Sequence, residues 1–392
     1  MSIRDLCHPL SSSLRVLGVV AMLSLAGCSV FVPKREPAPP PAEPPAPKLL
    51  EPLATHAFPF DPRTTAVVGE LQVTLARHED TLADIARRFN LGYDEIRRAN
   101  PGVDPWLPGE GTRIVLPTQF VLPKAAPEGI VVNLAALRMY YFPKAAKDEP
   151  RQVMTFPIGI GKVGWATPLG TTKIVSKRKN PTWTPPASVR NEHAAAGDPL
   201  PARVPPGPDN PLGVYAMNLA WPSVLIHGTN KPPGVGMRAS HGCIRMYPED
   251  IDAIFEGIPI GTKVTVVNEP LLYRWQGGQL YVQSYPPHVE SDDDSPEAQR
   301  GTWNDAVANR LFQLAKQHNA SVDATLAEQV VTDAQGLTVP VTRNGLTLES
   351  YVAAARLVEN SLPEGSNWDG SDGPAPDEEV KPVADSGVRS RH

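Results

Sequence analysis

Cysteine is scarce in this sequence: its 392 residues include three, Cys7, Cys28 and Cys243. Three cysteines cannot supply the dense disulfide framework that holds small secreted domains together, so that class of protein is excluded. Basic residues are not in excess either, since 37 Lys and Arg stand against 42 Asp and Glu, and a net charge of -5 makes nucleic acid a poor partner. The apolar run from Val16 to Ala26 is shorter than the roughly 20 residues that a transmembrane helix needs.

The start of the chain has the pattern of a targeting segment. Arg4 and Arg15 flank a polar start, the apolar run follows, and it ends in LAGC at Cys28. These four residues resemble a bacterial lipobox, in which the cysteine is lipidated after cleavage; an ordinary signal peptide is the alternative. The resemblance implies a lipoprotein signal peptide over 1–27 and a lipid anchor on Cys28 in the periplasm. Ser29, which follows the cysteine, favours sorting to the outer membrane.

Proline, in contrast, is abundant, with 45 in the chain, and it clusters after Cys28. Because proline fixes φ and lacks an amide donor, the segment 33–52, PKREPAPPPAEPPAPKLLEP, predicts an extended spacer. We assign residues 28–60 to the lipidated N-terminus and this linker.

Once Cys7 leaves with the signal and Cys28 carries lipid, Cys243 is the remaining thiol. A buried structural cysteine is the alternative to a reactive one.

Residues 70–118 are predicted to form a unit of their own, with the order strand, helix, helix, strand. LQVTL alternates like a strand, and DTLADIARRF carries apolar residues at helical spacing, with Asp80 or Thr81 as the N-cap. YDEIRRAN stops before Pro101, and TRIVLP supplies the closing strand. A small structural βααβ cap without a ligand is one interpretation of this pattern.

Residues 128–268 are rich in short β-type segments separated by Gly and Pro turns, which predicts a mainly-β sandwich or barrel. One helix interrupts this pattern, with Pro248 at its first position and an apolar stripe before Gly257. The long Pro-rich loop from Asn180 to Gly213 is expected to cover a cleft, because loops of this length are usually functional.

The C-terminal part of the chain is predicted to contain three further segments. Residues 269–290 include GGQLYVQSY and indicate a hairpin, and residues 295–362 show helical periodicity in TWNDAVANRLFQLAKQ and LESYVAAARLVENSL. These helices are expected to form an appendage that packs on the sandwich. Residues 363–392 are acidic and rich in Gly and Pro, which predicts a disordered tail.

Reactive side chains are concentrated in SHGCIR, residues 240–245. Residues two apart in an extended segment point to the same side, so His241, Cys243 and Arg245 are predicted to share a face. A histidine within hydrogen-bond reach can accept the thiol proton, and Arg245 can favour the thiolate or hold a substrate carboxylate. His227, at the end of VLIHGT, is expected to border the same pocket.

Two other interpretations of these residues are weaker. His227, His241 and Cys243 could act as three zinc ligands, but no fourth ligand stands at normal spacing. Ser240 lacks the strand, G-x-S-x-G turn and helix that present a serine nucleophile. We therefore predict an enzyme with a cysteine nucleophile and neither a metal nor a cofactor.

The stretch HGTNKPPGVGMRASHGCIRM resembles the signature of the L,D-transpeptidase, or YkuD-type, catalytic domain. Residues 70–118 resemble a LysM domain, a module that binds the N-acetylglucosamine backbone of peptidoglycan or chitin. NPTWTPP, NPLGVYAMNL and YPEDIDAIF are similar to the subgroup that combines both domains in Gram-negative envelopes. The C-terminal helical region and the acidic tail lie outside the resemblance.

The resemblance implies roles for the site residues. Cys243 would attack the carbonyl of meso-diaminopimelate in a tetrapeptide stem, expel D-Ala and form a thioester. His241 would be base to the thiol and acid to the leaving amine, with Ser240 or a backbone carbonyl orienting its other ring nitrogen. Backbone donors around Gly242 and Cys243 would bind the oxyanion. The pocket would be shaped by Arg245 and His227.

The acyl acceptor determines the biological outcome. The resemblance implies an amine, either of a second stem, giving a 3-3 crosslink, or of a Lys in an outer-membrane lipoprotein, which the motif context favours. Water as acceptor would instead make the protein a carboxypeptidase or endopeptidase. The implied partners are peptidoglycan glycan strands and tetrapeptide stems, the lipoprotein, and the membrane through the N-terminal lipid. A non-enzymatic LysM anchor is the alternative, which the intact Cys, His and Arg block disfavours.

Overall fold

The computed structural model of the protein describes residues 48–145, 150–289, 291, 293 and 295–371. The signal peptide predicted over 1–27 and the lipidated Cys28 lie outside these residues, as does the first part of the linker predicted over 28–60. The end of that linker differs from the prediction. Ala57–Pro59 is a strand at the edge of the main sheet, with Phe58 buried, because its backbone pairs with a neighbouring strand.

The βααβ order predicted for the first folded unit is confirmed. In chain order the first elements are β1 (Ala57–Pro59), β2 (Val67–Gly69), β3 (Gln72–Leu75), α1 (Leu82–Arg88), α2 (Tyr93–Ala99) and β4 (Arg113–Leu116). Thr81 is the N-cap of α1, because its side chain accepts the amide of Asp84 and its own amide donates to the Asp84 carboxylate. Leu82 and Ile85 are fully buried, so the apolar face of α1 forms the core of this unit.

The main domain is built largely from strands, as predicted. Its elements are β5 (Gln119–Val121), β6 (Gly129–Asn133), β7 (Arg138–Phe142), β8 (Gln152–Pro157), β9 (Ile160–Gly161), β10 (Gly170–Lys179), α3 (Ala187–Ala195), β11 (Tyr215–Leu219), β12 (Leu225–His227), a 3-10 turn (Pro232–Gly234), β13 (Arg238–Ser240), β14 (Ile244–Arg245), α4 (Pro248–Phe255) and β15 (Lys263–Val267).

Strand β1 and most of these strands form one large mixed sheet with the order β1, β8, β7, β6, β15, β10, β11, β12, β14, while β9 pairs with β13 and β5 with β2. Two of its pairings, β6 with β15 and β12 with β14, are parallel, and the others are antiparallel. The predicted helix is α4, with Pro248 at its first position. Its stripe of Ile251, Ile254 and Phe255 is buried against the core side of the sheet, with Ile226 and Ile244 in the same cluster.

The C-terminal region contains the predicted hairpin strands and helices. Its elements are β16 (Leu271–Gln276), β17 (Gln279–Ser284), α5 (Asp305–Gln317), α6 (Ala324–Asp333), β18 (Val339–Pro340), α7 (Leu348–Ala353) and β19 (Arg356–Leu357). The second predicted helix ends at Ala353, and the chain after it forms β19, which pairs in parallel with β3. The appendage therefore packs on the βααβ unit as well as on the hairpin, and its core includes Val73 and Val115.

Buried contacts fix the βααβ unit to the main sheet. Arg138 of β7 is fully buried and its Nε lies 2.7 Å from Oε1 of Glu95 in α2. Asn90 donates to the carbonyl of Thr155 in β8 over 2.8 Å. At the N-terminus of α2, the amide of Tyr93 donates to the Val235 carbonyl, in the glycine-rich loop before β13. The described residues from Lys48 onward accordingly form one compact unit.

The tail predicted over 363–392 is partly described. Residues 363–371 are placed, and they differ from the disordered prediction because Asn367 donates to the carboxylate of Asp250 in α4 over 3.0 Å. Trp368 also packs beneath the guanidinium of Arg87. The remainder of the tail lies outside the described residues. Among the helices that the structure describes, none combines the length and hydropathy required to cross a bilayer.

Candidate active site

The candidate site lies on the parallel strands β12 and β14 at one end of the main sheet. Ile226 is paired with Ile244, and both are buried in the core. Side chains alternate along strands, so the next pair, His227 and Arg245, lies on the opposite face. Cys243 directly precedes β14, two residues before Arg245, and the register of β12 and β14 places His227 opposite Arg245.

Cys243 is partly buried, and its thiol is uncharged in the free protein. Its Sγ lies 3.5 Å from the carbonyl oxygen of Ser223, in the turn between β11 and β12. Burial raises the pKa of the Cys243 thiol, while a hydrogen bond from the Leu225 backbone and the positive charge of Arg245 act to lower the pKa. The pocket therefore holds the groups that would stabilise a thiolate, although desolvation still favours the thiol.

His227 is buried and held by a backbone carbonyl. Its Nδ1 lies 2.6 Å from the carbonyl oxygen of Gly228, so Nδ1–H donates and Nε2 carries the free lone pair. Burial, together with the nearby charge of Arg245, lowers the pKa of His227 to about 4. The imidazole is therefore neutral near pH 7 and able to accept a proton at Nε2.

His241 is placed differently from the prediction. Gly242 has a φ of 93°, which interrupts the extended backbone, so the rule that residues two apart share a face does not apply across it. Nε2 of His241 lies 3.2 Å from Oε2 of Glu192, and the rings of His241 and Trp165 form a T-shaped contact with centroids 4.8 Å apart. Burial, followed by the charge of Lys162, lowers the pKa of His241.

Ser240 does not orient the imidazole of His241 through its side chain, which corrects the sequence-based prediction. Its Oγ donates instead to the carbonyl of Cys243 over 2.6 Å and closes the tight turn that presents the thiol. The Gly242 carbonyl accepts a hydrogen bond from Thr167 Oγ1 over 3.1 Å. Ser240 and Gly242 thus shape the backbone of the turn, and the role of the local amides as oxyanion donors stays a prediction.

Arg245 is fixed at its backbone and reaches the glycine-rich loop. Its amide and carbonyl both pair with Gly159 over 2.8 Å. A Cβ added to Gly234 would lie 2.5 Å from Nη1 of Arg245, so the guanidinium lies directly against this glycine. The side chain thereby connects the 3-10 turn to the face that carries Cys243 and His227.

The loop from Asn180 to Gly213 lies against His241. It contains α3, and its two arms are joined by the bridge between Trp183 and Val204. Glu192 of α3 forms an ion pair with Lys162 and also contacts His241. The sequence interpretation missed the residues of this contact, which come from distant segments: Lys162, Trp165 and Glu192.

Within the described ranges, no three His, Cys, Asp or Glu side chains are grouped closely enough to hold a metal ion. His241 faces Glu192, while His227 uses Nδ1 for a backbone carbonyl. The arrangement is that of a thiol site, with a neutral histidine and an arginine on one face.

The fold and the site define a class of protein: a βααβ module joined to a mainly-β domain that presents one cysteine at its sheet end. Residues 127–266 match the L,D-transpeptidase catalytic domain family YkuD, and residues 77–117 match the LysM domain family. The chain belongs to the L,D-transpeptidase family.

Similar curated proteins support this membership. The chain is 38% identical over 302 residues to "Probable L,D-transpeptidase YcfS" of Escherichia coli K12, covering 76% of this chain and 91% of the relative. It is 42% identical over 237 residues to "Probable L,D-transpeptidase YbiS" of the same organism, covering 59% and 75%. The NMR structure of the catalytic domain from the E. faecium L,D-transpeptidase is 25% identical, with a TM-score of 0.26, and covers 37% of this chain and 99% of that one.

Proposed function

We propose that the protein is a peptidoglycan L,D-transpeptidase that uses Cys243 as its nucleophile. The observation that carries the proposal is the grouping of a lone thiol, a neutral histidine with a free Nε2 and an arginine on one face of β12 and β14. Family membership supports the reaction class, and the LysM domain supports peptidoglycan as the substrate.

In the proposed reaction, Nε2 of His227 accepts the thiol proton as Sγ attacks the carbonyl carbon of meso-diaminopimelate in a tetrapeptide stem. The tetrahedral intermediate collapses, the C–N bond to D-Ala breaks, and the leaving amine takes the proton back from His227. A thioester on Cys243 remains. An acceptor amine then attacks this thioester, loses its proton to the same histidine and regenerates the thiol.

This proposal transfers the role of base from His241 to His227. A general base needs a partner that fixes its tautomer and a lone pair that faces the nucleophile. His227 has the first in the Gly228 carbonyl, and it shares the face of Arg245 and Cys243. His241 has its Nε2 beside the Glu192 carboxylate and comes after the break at Gly242.

We further propose that the acceptor is an amine, with the Lys of an outer-membrane lipoprotein favoured over a second stem. A lipid on Cys28 and a proline-rich tether would hold the enzyme at the outer membrane, while the LysM domain binds the glycan strand. The active-site residues described above act on the acyl donor and do not distinguish between acceptors. The acceptor must therefore be identified from the mass of the reaction product.

The test is mass spectrometry of the full-length protein incubated with disaccharide tetrapeptide, alone and with a peptide that ends in Lys. We expect loss of D-Ala through a thioester on Cys243, and a product whose mass identifies the acceptor. Cys243→Ala should abolish the adduct, His227→Gln should slow its formation strongly, and His241→Gln should slow it less. Folded protein that gives neither adduct nor free D-Ala would refute the proposal.

A further inference from the structure

Two basic side chains converge on one carboxylate, and one of them, His241, is two residues before Cys243 in the chain. Glu192 binds Lys162 through Oε1, and its Oε2 lies 3.2 Å from Nε2 of His241. The three residues come from the segment after β9, from α3 and from the segment after β13, so this arrangement exists only in the folded protein. The hydrogen bond from Lys162 lowers the pKa of Glu192, which is therefore a carboxylate near neutral pH.

Lys162 and His241 are both held by the framework of the site. The amide of Lys162 donates to the Ser240 carbonyl over 2.9 Å, in continuation of the β9 and β13 pairing. A Cβ on Gly161 would lie 3.1 Å from Cα of Gly242, so the two backbones are in direct contact. Trp165 supports the ring of His241 edge to face. The backbones of Lys162 and His241 are thus fixed next to the turn that carries the thiol.

Glu192, in contrast, is held weakly. It lies on a helix with a single buried residue, Val189, within a loop that is largely exposed. The Glu192 and Lys162 side chains are each 38% exposed, and exposed ion pairs contribute little to stability. Oε2 of Glu192 and Nε2 of His241 are close but not aligned as a hydrogen bond. A carboxylate from another molecule can therefore replace that of Glu192.

We propose that Lys162 and His241 form a carboxylate-binding subsite beside Cys243, and that Glu192 occupies it in the free protein as an internal substitute for the substrate. The identity of the substrate group rests on the proposed function. The leaving D-Ala carries its carboxylate two bonds from the scissile nitrogen, so this group must lie close to the thiol during attack. His241, two residues before Cys243, lies in that neighbourhood.

The proposal is tested first by alkylation of Cys243 with two reagents of similar size, anionic iodoacetate and neutral iodoacetamide, followed by peptide mass spectrometry. Glu192→Gln removes the negative charge that competes for the subsite, so the ratio of the iodoacetate rate to the iodoacetamide rate should rise about fivefold. Lys162→Met removes the positive charge, so the same ratio should fall below that of the wild type.

Asp198→Asn is the matched control, because it removes one negative charge from the same loop and Asp198 contacts His193, not His241. Its rate ratio should equal that of the wild type. Equal changes with both reagents in Glu192→Gln would show that the loop only blocks access, and an unchanged ratio would show that no anion binds there. Either result would overturn the proposal.

A second measurement compares D-Ala release from the tetrapeptide with release of D-Ala amide from its C-terminal amide. Wild type should prefer the free acid, Lys162→Met should lose this preference, and equal rates in wild type would count against the subsite. Alkylation of Cys243 does not require the protein to turn over a substrate, so it tests the subsite independently of the proposed reaction. If no stem peptide reacts with any variant, the proposed function fails, while the alkylation ratio still decides whether the subsite exists.

Discussion

At the scale of single residues, the charge of Arg245 is one of two influences that lower the pKa of Cys243, after the hydrogen bond from the Leu225 backbone. Burial raises the thiol pKa and Arg245 lowers it, so removal of the guanidinium should raise the pKa further. We expect Arg245→Met to move the pH midpoint of iodoacetamide alkylation upward relative to wild type, with an unchanged rate at the high-pH plateau. Arg245→Lys keeps the positive charge, so its pH midpoint should lie between those of wild type and Arg245→Met. A downward shift in Arg245→Met would contradict this assignment.

His227 makes the stability of the folded protein depend on pH. Its pKa is about 4 in the folded state and about 6.5 when unfolded, so the unfolded state binds more protons between these values. The free energy of unfolding should therefore decrease by about 3 kcal/mol as pH falls from 6.5 to 4. His227→Gln should show a shallower decrease in urea unfolding across this interval. Identical slopes for the two proteins would contradict the low pKa.

The sequence predicted which residue types form the site, and it erred where the backbone is not extended. Cys243, Arg245 and His227 come together because strands alternate and the β12 and β14 register is regular. The alternation rule does not extend back to His241, because Gly242 has a positive φ. Glu192 was not predictable from any local pattern, since its contacts depend on how a long loop folds back.

At the scale of elements, local signals predicted helices well. α1 has a threonine as its N-cap, and α4 has a proline at its first position. Both helices carry an apolar stripe that is visible in the spacing of apolar residues along the sequence. α6 carries comparable signals, with Asp323 as its cap and Val330 buried, and it lies within the region 295–362 that is predicted to be helical. α3 buries only Val189 and has no such stripe, so its helix was not evident from periodicity.

The contact between α2 and the glycine-rich loop gives a prediction about backbone packing. Gly236 has a φ of 81°, and a Cβ there would lie 2.3 Å from Cα of Gly92. Gly278, in the turn between β16 and β17, has a φ of 80° and no atom within 4 Å of an added Cβ. The positive φ should lower the free energy of unfolding of both alanine variants by about 1 kcal/mol. In Gly236→Ala the steric clash of the added Cβ should lower it by about 2 kcal/mol more.

Urea unfolding of the two glycine variants measures the difference directly. Gly278→Ala measures the free-energy cost of the positive φ alone, because no other atom lies within 4 Å of the added Cβ. Equal losses in the two variants would show that α2 and the loop separate readily in solution. The LysM module would then be free to move relative to the turn that precedes Ser240.

At the scale of the whole molecule, the sequence suggested separate units joined in series, whereas the structure joins them by contacts distant in the chain. β19 extends the β3 and β4 sheet in parallel, and Asn360 donates to the Asp80 carboxylate over 2.7 Å. Parallel pairings such as β6 with β15 likewise join segments far apart in sequence. Such pairings have no local signature, because each strand alone would fit several neighbours.

These contacts predict that the LysM module and the catalytic domain unfold together. Hydrogen exchange should give the slowest amides of β3 and β15 the same free energy of opening, because Glu95 and Arg138 link the two cores. Glu95→Gln leaves the buried Arg138 charge uncompensated and should lower both values by about 3 kcal/mol. Glu128→Gln, which removes the exposed pair with Lys263, should lower them by less than about 1 kcal/mol. A smaller opening energy confined to β3 would mean that the module opens independently, and a glycan strand bound there would not be held at a fixed position relative to Cys243.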